Sequence, residues 1–201
     1  MIHFVTAYDP ATHANLSAIR SVLLESDLVG GQATRAGLLR ALATRPGEPL
    51  FAMTHGQPHV LVAHQGEAGL VAGDAAIVGT RAVFAWACHT AMTLGYTMSR
   101  FGATWWGYTG KIAAPGDGVR EIPIFEDVFL EIRSRFAVEA EHLMAQIRTI
   151  CEQAEYRLDH IEAGSDSYLC LLHIWDRLRV WQPGASDAWA HPDARPPTWM
   201  V

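Results

Sequence analysis

The chain has 201 residues, 50% hydrophobic and 18% charged, which suits one packed core and argues against a chain that stays unfolded. Its formal charge is −6 and its 15 basic residues form no run, so the footprint of a nucleic-acid binder is absent. Three cysteines without CxxC spacing argue against a disulfide framework or a Cys-rich zinc site and point to a reducing, cytoplasmic setting.

The opening MIHFVTAYDP lacks a basic n-region and has too short an apolar run for a signal peptide. No apolar run approaches the ~18 residues of a spanning helix, so no membrane is expected. Residues 2–7 predict a buried first strand that stops at Tyr8-Asp9-Pro10. Leu16, Ile19, Val22 and Leu23 predict a helix over 11–24. Residues 25–33 are ambiguous: they could hold a short strand, but their glycines argue for loop. Thr34 caps a predicted helix from Arg35 to Thr44, with Leu38, Leu39 and Leu42 on one face. A second strand over 49–54 ends at His55-Gly56, and a short one runs from His59 to Ala63. Residues 74–80 are a turn of helix or loop. RAVFAWAC, Arg81 to Cys88, is the strongest buried-strand signal. A helix over 91–101 and a strand over 104–109 complete an alternation of β and α that implies a mostly parallel sheet covered by helices.

The second half changes character. From Phe129 to Ile161 apolar residues recur every three or four positions. As one helix this stripe would be about 50 Å long, so it is either broken or docks on something besides the sheet. A further helix begins at Ser165 or Asp166, with Leu169, Leu172, Trp175 and Leu178 inward, and the stretch after Trp181 is irregular. The expected organisation is an α/β core over 1–123, a helical portion over 124–182 and a tail over 183–201.

Ligands and catalytic groups collect beyond the carboxyl ends of parallel strands. Two such ends carry reactive residues, His55-Gly56 and Ala87-Cys88. If those strands are neighbours, an imidazole and a thiol emerge on one edge. A free thiol has a pKa near ~8.5 and needs a base or a cation to become a nucleophile. Gly56 lets a backbone N–H approach a substrate closely, and the Cys88 N–H is a second candidate donor to an oxyanion. The bland alternative is a core cysteine and a His-Gly turn.

With "LFAMTHG", "AVFAWACHTA" and "TWWGYTG" in that order, residues 1–112 resemble the caspase-like (clan CD) cysteine peptidases, in particular the short bacterial CHAT branch. The resemblance implies a sheet with the dyad at its carboxyl edge, His55 as acid/base, Cys88 as nucleophile and Gly56 at the oxyanion site. It also implies a cysteine endopeptidase acting on protein or peptide substrates without a cofactor, in the manner of a signal-activated effector.

Other residues are weaker candidates. Alternation along the strand turns His89 away from Cys88. Asp74 is a candidate pocket residue or a solvated loop acid. Trp105, Trp106 and Tyr108 either line a substrate pocket or divide between core and rim. Arg35 and Arg81 read as surface charges or as binders of an acidic side chain. His55, His59, His64 and His89 are close in sequence, but HExxH is absent and Pro58 spoils a helical pair, so no metal is expected. Gly30-Gly31 lacks the context of a phosphate loop. Two rival readings stay open: a non-catalytic interaction subunit that associates through the 129–161 stripe, and a sensor that holds a small activating ligand at the strand ends.

Overall fold

A computed structural model describes residues 1–116, 118, 120–158 and 163–197. The centre is a six-stranded sheet of β1 (Ile2–Val5), β2 (Leu28–Val29), β3 (Leu50–Met53), β7 (Ala82–Trp86), β8 (Thr104–Tyr108) and β9 (Leu178–Trp181). Their spatial order is β2-β1-β3-β7-β8-β9. All neighbouring pairs are parallel except β8 and β9. Strands β1 and β3 are buried at every position, as continuous apolar runs inside a two-sided sheet require.

One face of the sheet carries Phe51, Met53, Phe84, Trp86, Trp106 and Tyr108. It packs against α1 (Pro10–Ser17), α5 (Ile122–Arg135), α6 (Ala140–Arg157) and α7 (Asp166–Asp176). The other face carries the small residues Ala52, Ala85 and Ala87. Over it lie α2 (Arg35–Thr44), α3 (Ala75–Val78) and α4 (Thr93–Arg100). An antiparallel meander of β4 (Gly56–Gln57), β5 (Val60–Val62) and β6 (Ala68–Val71) joins that second layer. The expected α/β architecture with a mostly parallel sheet, flanking helices and a helical C-terminal part is the one observed.

Several elements depart from expectation for local reasons. The helix expected over 11–24 stops at Ser17 and tightens into a 3-10 turn over Arg20–Val22. Residues 25–33 contain the edge strand β2, only two residues long. The long stripe breaks between α5 and α6. There the Phe136 carbonyl turns to accept the Trp106 indole N–H at 3.1 Å, and Arg135 ties Glu131 to Glu139. Phe129, Ile132, Phe136, Leu143, Ile147, Ile150, Ala154 and Leu158 are all buried in the chain's own core, so of the two outcomes expected for the stripe the broken one is observed. Ile161 lies outside the described residues. In α7 the Ser165 hydroxyl caps the first turn by accepting the Tyr168 N–H. The inward side is Ser167, Cys170, Leu171 and Ile174, one position round from the face expected, while Leu169, Leu172 and Trp175 are half-buried. Leu178 does not extend that helix; it opens β9.

Because β9 runs against the others, it begins at the rim where the parallel strands end. Its register sets Leu178 beside Tyr108. The end of α7, Asp176-Arg177, is therefore delivered to the carboxyl rim of the sheet. Among the described residues no helix is long and apolar enough to cross a membrane.

Candidate active site

The β3–β7 register pairs Met53 with Trp86, and the Thr54 N–H donates to the Trp86 carbonyl at 3.0 Å. His55 and Cys88 each lie two residues beyond this last pair, just past the carboxyl ends of the two adjacent strands. Met53 and Trp86 both face the α1/α5–α7 layer. His55 bonds Asp9 at the start of α1, and the Cys88 sulfur takes the N–H of Ile112, which packs on that same layer.

Gly56 closes the gap between the two strand ends. A Cβ there would lie 2.6 Å from the Cys88 carbonyl oxygen, 2.6 Å from the Thr90 methyl and 2.9 Å from the Ala87 Cβ. Only glycine admits that approach. After Cys88 the chain reverses sharply. His89 takes a left-handed φ of +61°, strained for a residue with a Cβ. Its N–H donates to the Gly110 carbonyl at 3.2 Å, and the Thr90 hydroxyl donates to the Ala87 carbonyl at 2.9 Å. These contacts hold Cys88 at the crest of the turn into α4.

On one flank, His55 is gripped by an acid. Its Nε2–H donates to Asp9 Oδ2 at 2.6 Å, which leaves Nδ1 as the lone-pair nitrogen of the neutral ring. The Tyr8 ring meets the imidazole edge-on at 5.8 Å. Asp9 is also the N-cap of α1, where it accepts the Thr12 N–H at 2.9 Å with Pro10 in the first turn. Burial raises the Asp9 carboxyl, but the hydrogen bonds from Thr12 and His55 outweigh it and bring the pKa below its ordinary value. The His55 ring is 41% exposed, so the pair is open to a solute.

On the other flank, Cys88 is the one cysteine of three that is not buried. Its sulfur accepts the Ile112 N–H at 3.4 Å. Burial raises the thiols of Cys151 and Cys170 well above their ordinary value, which makes them inert. Arg177 lies at the same rim, its guanidinium donating to the Lys111 carbonyl next to Ile112. Burial lowers the Arg177 pKa first, followed by repulsion from Arg195; Asp176 and Cys88 oppose that only in part. Next to Arg177, His173 Nδ1 accepts the Ala113 N–H at 3.1 Å, and burial together with Arg177 pushes this imidazole down to about 4.

A cleft of about 410 Å³ opens beside this turn, walled by His89, Gly110, Lys111, Asp176, Arg177 and Arg195 among others. The remaining candidate residues lie elsewhere. Trp105, Trp106 and Tyr108 are fully buried, so none of them lines a pocket. Asp74 receives both terminal nitrogens of Arg35 at 2.8 Å and the Val71 N–H at 2.9 Å, which makes it a fastening between α2 and β6, not a solvated loop acid or pocket floor. Arg81 is only 5% exposed, not a surface charge, and donates to the carbonyls of Val78, Leu42, Ile77, Arg45 and Glu48. Among the described residues no three His, Cys, Asp or Glu side chains cluster as a metal would require. The sequence reading missed Asp9, Asp176 and Arg177. Asp9 did leave a signal: Asp followed by Pro is a helix N-terminus as much as a strand stop.

No family model, curated protein or solved structure matches the chain.

Proposed function

We propose that the protein is a cysteine endopeptidase of caspase-like type, with Cys88 as nucleophile and His55 as acid/base. The observation that carries this reading is the strand register. Strands β3 and β7 are parallel neighbours, so His55, bonded to Asp9, and Cys88, the cysteine that is not buried, both follow the carboxyl ends of adjacent strands. The α/β sheet order, with His and Cys ending two central neighbouring strands, supports it as well.

In this reading the Cys88 sulfur attacks a peptide carbonyl carbon while His55 takes the thiol proton. The oxyanion accepts N–H groups of Gly56 and Cys88. The C–N bond breaks as His55 returns the proton to the leaving amine. Water then attacks the thioester, His55 takes a proton from it, and the free acid leaves as the thiol is restored. Asp9 fixes the tautomer and steadies the imidazolium.

The test is incubation with a diverse peptide library, with products read by mass. Wild type is expected to cut, and Cys88→Ala and His55→Ala to be silent although folded. Equal cutting by Cys88→Ala, or no cutting by the wild type, overturns the proposal.

A further inference from the structure

The cleft at the His89 turn, one residue on from Cys88, is partly filled by Arg195, Pro196 and Pro197 of the same chain. After β9 the backbone doubles back: Val180 and Trp189 form an antiparallel bridge, with the Val180 N–H to Trp189 carbonyl at 2.8 Å and the reverse bond at 2.9 Å. Asp193 pairs with Arg148, and Arg195 arrives over the cleft. Its Nε donates to Asp176 Oδ2 at 2.9 Å and its backbone N–H to Asp176 Oδ1 at 2.9 Å. Its carbonyl accepts Arg179 Nη2 at 2.7 Å. Asp176 is 3% exposed and Arg179 5%, whereas the Arg195 side chain is 65% exposed. A buried acid and a buried cation, at the end of α7 and in β9, thus hold Arg195 by its main chain and by its guanidinium. Pro196 follows; it has no N–H to donate, which suits an occupant that stays intact more than a segment to be cut.

We propose that Asp176 is the residue that selects a basic side chain in the substrate, and that Arg195 occupies this subsite as an internal competitor. This rests on the peptidase reading of Cys88 and His55. Asp176 supplies the carboxylate that a guanidinium or ammonium engages, and Arg179 takes the neighbouring carbonyl. A segment with arginine or lysine must displace residues 195–197 to reach Cys88.

The experiment compares wild type, Arg195→Ala, Asp176→Asn and the double variant, each checked for native circular dichroism. The first readout is binding of N-acetyl-arginine amide by NMR titration, which needs no catalysis. Arg195→Ala is expected to bind about tenfold more tightly than wild type, the equivalent of ~1.4 kcal/mol, in keeping with an ion pair in which one partner stays wet. The double variant is expected to bind no better than wild type. The second readout is Cys88 alkylation by peptidyl chloromethyl ketones ending in arginine, aspartate or leucine. Arg195→Ala is expected to speed labelling by the arginine reagent at least as much as binding, with the leucine reagent changed far less, and Asp176→Asn to erase the arginine preference. His55-dependent labelling with no arginine preference, and no gain in arginine-amide binding in Arg195→Ala, overturns the subsite and leaves the peptidase reading intact. Tight arginine-amide binding with Cys88 inert to every reagent overturns the peptidase reading instead. If Asp176→Asn fails to fold, the Arg195→Ala and Arg195→Glu binding data decide alone.

Discussion

Gly56→Ala tests how closely the two strand ends are packed. The added Cβ meets three atoms at once: the Cys88 carbonyl oxygen at 2.6 Å, the Thr90 γ-methyl at 2.6 Å and the Ala87 Cβ at 2.9 Å. Ordinary carbon contacts sit near ~3.5–4.0 Å, so each gap is short by roughly 1 Å. Two of the three atoms belong to backbone or to a Cβ and cannot rotate aside. The third is held because the Thr90 hydroxyl donates to the Ala87 carbonyl at 2.9 Å. The strand ends must therefore part, and the expected cost is about 3 kcal/mol, the upper end of overpacking penalties. For a domain of this size that is a fall in Tm of about 6–12 °C. Parting the ends also moves His55 from Cys88, so alkylation of Cys88 by iodoacetamide should slow by about tenfold or more at a temperature where the variant is folded. Adding Thr90→Ser removes one of the three contacts and should restore part of the Tm but not the labelling rate. A Gly56→Ala protein as stable and as reactive as its parent would refute the packing argument, and so would full recovery of the rate by Thr90→Ser.

Asp9 has two duties that substitutions can separate. Asp9→Asn keeps a capping side chain and should cost well under 1 kcal/mol, while Cys88 reactivity falls; Asp9→Ala should lose the reactivity and about 1 kcal/mol more. Equal reactivity of Asp9→Asn and wild type in the labelling assay would detach Asp9 from the site. Arg81→Ala leaves up to five carbonyls without their donor and should cost on the order of 3 kcal/mol in urea unfolding, against about 1 kcal/mol for Arg35→Ala, whose ion pair is partly exposed. Comparable losses would mean that burial of Arg81 has been overvalued. His173 is depressed from 6.5 to about 4, so the folded state favours the neutral ring and the unfolded chain binds the proton first. The stability this supplies is complete above pH 6.5 and is lost as pH falls towards 4. On the order of 2 kcal/mol should disappear over that window. Urea midpoints at pH 7 and 4.5 for wild type and His173→Gln would show it, and an unchanged pH slope in the variant would refute it.

The residues that report the fold from sequence are those whose environment is local or uniform. Strands β3 and β7 are buried on both faces, so their apolar runs are visible without knowledge of their neighbours, and so are His55-Gly56 and Ala87-Cys88 at their ends. Thr34 announces α2 because a cap acts over three residues. Of the meander, β5 was legible as the short strand over His59–Ala63, whereas β4 is two residues long, too short for a period to register. Arg81 could not be read because it answers a need that exists only once α2 and α3 end beside each other. Asp9 lies 46 positions from His55, and Asp176 reaches the rim only because β9 reverses direction. No periodicity carries either fact.

The bridge between Val180 and Trp189 lies on β9, the last strand of the sheet order. An uncovered border of unpaired amides and carbonyls is a template for another chain. The stretch that borders the sheet at Trp189 goes on to enter the cleft at Arg195. Lifting the whole stretch would thus bare a reactive groove and a sticky hem in one movement, and the two exposures are mechanically linked.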